Sequence, residues 1–126
     1  MAKLNTRGKY PANWPAIAQE VKAAAGWRCI RCNHANDLAT GHVLTVHHFD
    51  GDKANCSWWN LLALCQRCHL RIQGRVIPDQ PYFLPHSEWI RPYVAGFYAV
   101  KYQSRHLSRA EVMAELDQLL ALERIT

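Results

Sequence analysis

The chain has 126 residues, 49% of them apolar, and a formal net charge of +5. That length suits one domain with a modest core, and the apolar content is too high for a disordered chain. No apolar run is long enough to span a bilayer. The basic start, Met1 to Lys9, lacks the hydrophobic stretch of a signal peptide, so the expectation is a cytoplasmic protein with no membrane partner.

The charge is unevenly spread. Residues 1–75 hold ten Lys/Arg against four Asp/Glu, whereas residues 76–126 hold five against six. The basic half suits a polyanionic partner.

In chain order, residues 1–12 read as a flexible basic arm ending at Tyr10-Pro11. A helix is expected from Asn13, as N-cap, with Pro15 in the first turn. Ile17, Val21 and Ala24 share one face, joined by Trp14, and Gly26 is the stop. A knuckle, Cys29-Ile30-Arg31-Cys32, follows, then a loop rich in Asn, His and Asp. Val43 to Phe49 reads as a strand between Gly41 and Gly51, with Asp50-Gly51-Asp52 as a turn. A short strand or loop leads through Trp58-Trp59 to Asn60, and Asn60 to Leu64 runs into a second knuckle. From about Cys68 a short helix carries His69 to Gln73 and ends near Gly74. Residues 78–87, with three prolines, read as an irregular connector. A helix is expected around Glu88–Gln103. Another starts at Ser108, where Ser108-Arg109-Ala110-Glu111 has the capping-box pattern, with Val112, Leu116, Leu119 and Leu120 as its apolar stripe.

Five cysteines cannot all pair. Cys29/Cys32 and Cys65/Cys68 form two CxxC turns across a 32-residue insert. Two such turns supply the four thiolates that structural zinc prefers, leaving Cys56 as an ordinary thiol. A closed four-cysteine site has no open position, so zinc there is structural. It would pin the first loop to the last motif helix and hold the strand bearing His47 and His48 between them.

The run Leu44-Thr45-Val46-His47-His48-Phe49-Asp50-Gly51-Asp52, followed by Trp59-Asn60-Leu61-Leu62-Ala63-Leu64-Cys65-Gln66-Arg67-Cys68-His69, resembles the HNH nucleases. The upstream Cys29-Ile30-Arg31-Cys32 is similar to the zinc-containing branch of that family. The resemblance covers roughly residues 27–75. It implies an α+β fold with a ββα-metal core, a structural Zn(Cys)4 site and added N- and C-terminal helices. The length and the order of elements point to one domain over 1–126: the arm 1–12, the zinc and ββα-metal core 13–77, and a helical extension 78–126. The resemblance further implies metal-dependent hydrolysis of DNA, with His48 as general base, His47 and His69 on a catalytic Mg²⁺ or Mn²⁺, and Asn60 supporting the loop.

The chemistry suits those roles. A histidine titrating near neutrality can take a proton, a hard cation can hold phosphate oxygens, and an Asn can bond backbone on both sides of a loop. Neighbours in a strand face opposite ways, so His47 and His48 share one site only if the strand ends or bulges there. Which of the two is base and which is ligand rests on the resemblance. Some relatives carry His or Asn one helical turn after the final histidine; here that residue is Gln73. His34, His42, His86 and His106 read as structural or solvated.

Arg67, Arg71 and Arg75 stand at i, i+4 and i+8 and would line one helix face beside His69 as phosphate contacts. Lys3, Arg7, Lys9, Arg28 and Arg31 are further candidates. Trp58 and Trp59 read mainly as core. The last helix, acidic at Glu111, Glu115, Asp117 and Glu123, should face away from DNA and either wrap the domain or pair with another copy. The rival functions are a zinc-stabilised nucleic-acid-binding module of degenerate HNH fold without catalysis, and a RING-like or zinc-ribbon interaction domain. A RING would need a second set of zinc ligands, which the chain lacks.

Overall fold

The structure, a computed structural model, describes residues 9–72 and 88–124. The chain divides into two compact units, Met1–Ile77 and Pro78–Thr126. Both helices and strands are present, so the fold is mixed α and β. The arm before Lys9, the connector 78–87, Gln73, Arg75 and His86 lie outside the described residues.

In the first unit, helix α1 spans Trp14–Ala24, with Pro15 in its first turn and Asn13 at the N-cap position without a side-chain cap bond. Trp14, Ile17, Ala18, Val21 and Lys22 are half-buried, at the spacing of a helix with one face covered. That face packs on the strands that follow. The helix stops where Gly26 and then Trp27 take positive φ, 66° and 57°, a reversal that glycine adopts readily and tryptophan rarely does.

Strand β1, Leu44–His48, pairs antiparallel with β2, Leu61–Cys65, in the register Leu44 with Cys65 through His48 with Leu61. All five β2 residues are buried, and Leu62 and Leu64 have no exposure. Burial of each such leucine contributes about 1.5–3 kcal/mol. A single 3-10 turn, Trp58–Asn60, returns the chain to β2. Helix α2, Gln66–Ile72, follows β2 without a break. It begins two residues before the position the sequence suggested, so Cys68 sits inside its first turn.

The second unit is helical. A 3-10 turn, Glu88–Ile90, leads into α3, Arg91–Gln103. Helix α4, Arg109–Ala114, and α5, Leu116–Leu120, form the last segment, with a 3-10 turn Ala121–Arg124 after them. The core is Ile90, Val94, Ala95, Tyr98, Ala99, Val112, Leu119 and Leu120. The expected final helix is broken at Glu115, whose φ of −120° is not helical. The Glu115 carboxylate accepts two hydrogen bonds from Arg105, at 3.0 and 2.9 Å. Tyr98 donates its hydroxyl to Glu123 at 2.8 Å. Glu111 accepts from Ser108 N–H at 2.8 Å, so three of the four acids of this segment, Glu111, Glu115 and Glu123, are used within the unit. No helix among the described residues is long and apolar enough to cross a membrane.

Candidate metal centre and the histidines beside it

The four cysteines of the paired knuckles meet. Their sulfurs all lie within 4.8 Å of one another, and Cys32 Sγ is 3.8 Å from Cys65 Sγ. Cys29, Cys65 and Cys68 are buried and Cys32 is exposed; none forms a disulfide. The elements explain the convergence. Cys29 and Cys32 sit in a tight turn closed by Asn33 N–H donating to Cys29 O, with Asn33 at φ 64°. Cys65 ends β2 and Cys68 lies in the first turn of α2. The first knuckle is stitched to the hairpin by Ile30 N–H, which donates to Ala63 O at 3.0 Å.

The donor set fits zinc. A tetrahedral site with Zn–S bonds of about 2.3 Å has sulfurs about 3.8 Å apart. Backbone N–H groups already point at these sulfurs: Arg31 and Cys32 donate to Cys29 Sγ at 3.4 and 3.5 Å, and Cys68 donates to Cys65 Sγ at 3.4 Å. Burial pushes the Cys29 thiol up, but its N–H donors outweigh that and bring it down to about 7. Burial holds Cys32 up, and pushes Cys68 up to about 12. A divalent cation among the four sulfurs would offset the negative charge that thiolates set so close together carry.

On one face of the hairpin β1 meets α2. Thr45 donates its hydroxyl to Leu64 O at 2.8 Å. Its oxygen lies 2.9 Å from His69 Nδ1, and with the hydroxyl proton committed elsewhere it accepts from that nitrogen. His69 Nε2 is then left with its lone pair, 3.2 Å from His47 Nδ1. Nitrogens at that separation suit neighbouring positions on one metal ion, whose metal–nitrogen bonds are about 2.0–2.1 Å in the zinc case. Burial, with His69 and His48 adding to it, pushes His47 down to about 4. Burial also lowers His69. Both shifts favour the neutral imidazole, the form that binds metal. Among the described residues no third His, Cys, Asp or Glu joins the pair.

His48 takes another direction. The strand runs in regular register to its last residue, so alternation turns His48 away from His47, towards α1. Its ring lies 4.9 Å from that of Trp14 and 5.7 Å from that of Tyr10, which itself stacks on Trp14 at 5.1 Å. Lys53 Nζ stands 5.2 Å from the Tyr10 ring centre. The Nε2 atoms of His48 and His47 are buried, with no hydrogen-bond partner among the described residues. Burial lowers the His48 pKa despite the opposing charges of Asp50 and Asp52.

Asn60 is fully buried. Its Oδ1 accepts from Asp50 N–H and its Nδ2 donates to Asn55 O, each at 2.8 Å. It therefore ties both sides of the loop that joins β1 to β2. Arg67 is exposed, with its stem beside Gly41. The Arg71 side chain and all of Arg75 lie outside the described residues, so the row of three arginines is represented by Arg67. His34 and His42 stack on each other with ring centres 3.5 Å apart.

Sequence reasoning passed over three residues that the geometry brings in. Thr45, two positions before His47 on the same strand face, was legible from period-2 alternation. Trp14 was read as part of the α1 packing face, and nothing in its local sequence pairs it with His48. Arg31 was read as a phosphate contact, yet its guanidinium donates to Cys68 Sγ.

Comparison with known proteins finds a similarity over part of the chain. The Zorya protein ZorE of Escherichia coli is 34% identical to this chain over 64 residues, which cover 51% of the chain and 17% of ZorE. The match therefore corresponds to a small part of that protein. No family model and no solved structure matches the chain.

Proposed function

We propose that the chain is a metal-dependent endonuclease of the HNH type that hydrolyses DNA phosphodiester bonds. The observation that carries this reading is the pair of neutral imidazole nitrogens, His47 Nδ1 and His69 Nε2, held 3.2 Å apart where a hairpin meets a helix. His48 follows directly in the chain, and Asn60 fixes the adjoining loop.

In this reading His47 and His69 hold a divalent cation. When bound, Mg²⁺ or Mn²⁺ supplies positive charge to the scissile phosphate and the departing 3′ oxygen. Two nitrogen donors favour a transition ion such as Mn²⁺ over Mg²⁺. Thr45 keeps His69 in the tautomer that offers Nε2 outward. His48, neutral at pH 7, takes the proton from water as its oxygen bonds to phosphorus. The P–O3′ bond breaks, and the leaving oxygen takes a proton from solvent. The products carry 5′-phosphate and 3′-hydroxyl ends. Arg67 holds neighbouring phosphates, the role the sequence spacing gives Arg71 and Arg75 as well. Zinc on the four cysteines keeps the hairpin and α2 in register without taking part.

One observation favours a second reading, a zinc-stabilised nucleic-acid-binding module without catalysis. His48 Nε2 is buried, and its ring lies against Tyr10 and Trp14. Plasmid cleavage with Mn²⁺ or Mg²⁺ separates the two. Wild type should cut, while His48→Ala and His69→Ala, both folded and zinc-loaded, should lose about a hundredfold or more in rate. DNA binding without cutting by the wild type would replace the nuclease reading with the binding module.

A further inference from the structure

Four thiolates around one zinc ion carry a net charge of about −2. A dianion in a largely buried place is stable only if its sulfurs receive hydrogen bonds or neighbouring positive charge. The sulfurs are supplied differently. Cys29 Sγ takes the N–H groups of Arg31 and Cys32. Cys65 Sγ takes the N–H of Cys68. Cys32 is exposed, so water can serve it. Cys68 is only 6% exposed, and among the described residues its N–H donor is the Arg31 guanidinium, with Nη1 at 3.4 Å.

We infer that Arg31 is the counter-ion of the metal centre, a positioning residue that clasps one sulfur from each knuckle and raises zinc affinity. Its backbone N–H serves Cys29 of its own turn, and its side chain crosses 37 positions of sequence to serve Cys68 on α2. The role rests on the reading of the four cysteines as a zinc site. It withdraws Arg31 from the candidate phosphate contacts. A charged donor is stronger than a neutral one, and it halves the field that the dianion would otherwise set against phosphates approaching α2. Arg28 is the natural comparison. It belongs to the same turn but donates through Nη1 to Asn33 O at 2.9 Å, touching no sulfur.

The test is zinc affinity of the full chain, measured by competition with a chromophoric chelator, with circular dichroism of each zinc-loaded variant as the folding check. Arg31→Ala should bind zinc about 10–100-fold more weakly, the usual effect of removing a group that hydrogen-bonds a metal ligand. Arg31→Lys, which keeps the charge without the planar fork, should recover part of the loss. Arg28→Ala should stay within about twofold of wild type, since an exposed charge matters little. Arg31→Ala within about twofold of wild type would overturn the role, as would an equal loss in Arg28→Ala. Should Arg31→Ala not fold, Arg31→Gln carries the comparison, and wild-type affinity there overturns the counter-ion role. A wild type that binds no zinc would remove the centre itself, and that failure would be visible before any variant is compared.

Discussion

Asn60 is the buried polar side chain of the core among the described residues, and both ends of its amide are used. Asn60→Ala would leave the Asp50 N–H and the Asn55 carbonyl without these partners. Each such orphan costs about 1–3 kcal/mol, so denaturant unfolding should register a loss of roughly 2–6 kcal/mol; a change under about 1 kcal/mol would mean that water replaces the amide freely. Thr45→Val keeps the shape and removes the hydroxyl that orients His69. If His69 holds a catalytic ion, Mn²⁺-dependent cleavage should fall about tenfold while zinc content stays the same. Asn60 and His48 differ in how far sequence betrays them. Asn60 stands out as an amide amid apolar neighbours, so its use in fixing a loop can be read directly. The direction of His48 cannot be read, because it depends on whether β1 ends before or after that residue, and on Tyr10 and Trp14 lying where α1 packs.

At the scale of elements, local signals worked where the local chemistry was complete. The capping box at Ser108 and Glu111 has both of its bonds, Glu111 N–H to Ser108 Oγ at 3.2 Å and Ser108 N–H to Glu111 Oε1 at 2.8 Å. Ser108→Ala should cost about 1 kcal/mol, read as a lower melting midpoint. The Ser108 donors hold the Glu111 carboxyl below the usual carboxylate range, and Arg105 does the same for Glu115. Folded-state values below those of the unfolded chain give stability that is complete above the ordinary carboxylate pKa and is lost as pH falls through the lowered values. The second unit should therefore weaken on acidification from pH 5 to pH 3, and Glu111→Gln should flatten part of that fall. Identical pH curves for the variant and wild type would remove Glu111 as a source. Strand β2 was the element least legible in sequence. Leu61 to Leu64 is a continuous apolar run, and a strand buried on both faces has no period-2 pattern to reveal it. The break at Glu115 was equally hidden, because the apolar stripe continues across it.

For the whole molecule, the paired CxxC turns carried the most information, since four soft ligands at that spacing leave few other uses. The structure places them on the turn, strand and helix that surround β1, so metal and fold should be linked. Chelation of zinc should expose the amides of β1 and β2 to hydrogen exchange. The α3 amides, whose core of Ile90, Val94, Tyr98 and Leu119 contains no cysteine, should keep their protection. Equal loss in both units would mean that the second unit depends on the first. Leu62→Ala, in the middle of β2, should cost about 2–5 kcal/mol and raise the zinc concentration needed to restore a cooperative unfolding transition.

The metal centre is not equally sheltered on all sides. Three sulfurs are buried, and Cys32 alone is exposed. Oxidants and electrophiles attack thiolates where they can reach them, so the lifetime of the centre under oxidising conditions is set at Cys32. Its modification would leave Cys29 as the one zinc ligand of the first knuckle, with Cys65 and Cys68 still held by β2 and α2. Damage would then begin as a loosened loop with the hairpin intact, at a residue that a mass measurement of the mildly oxidised protein can identify.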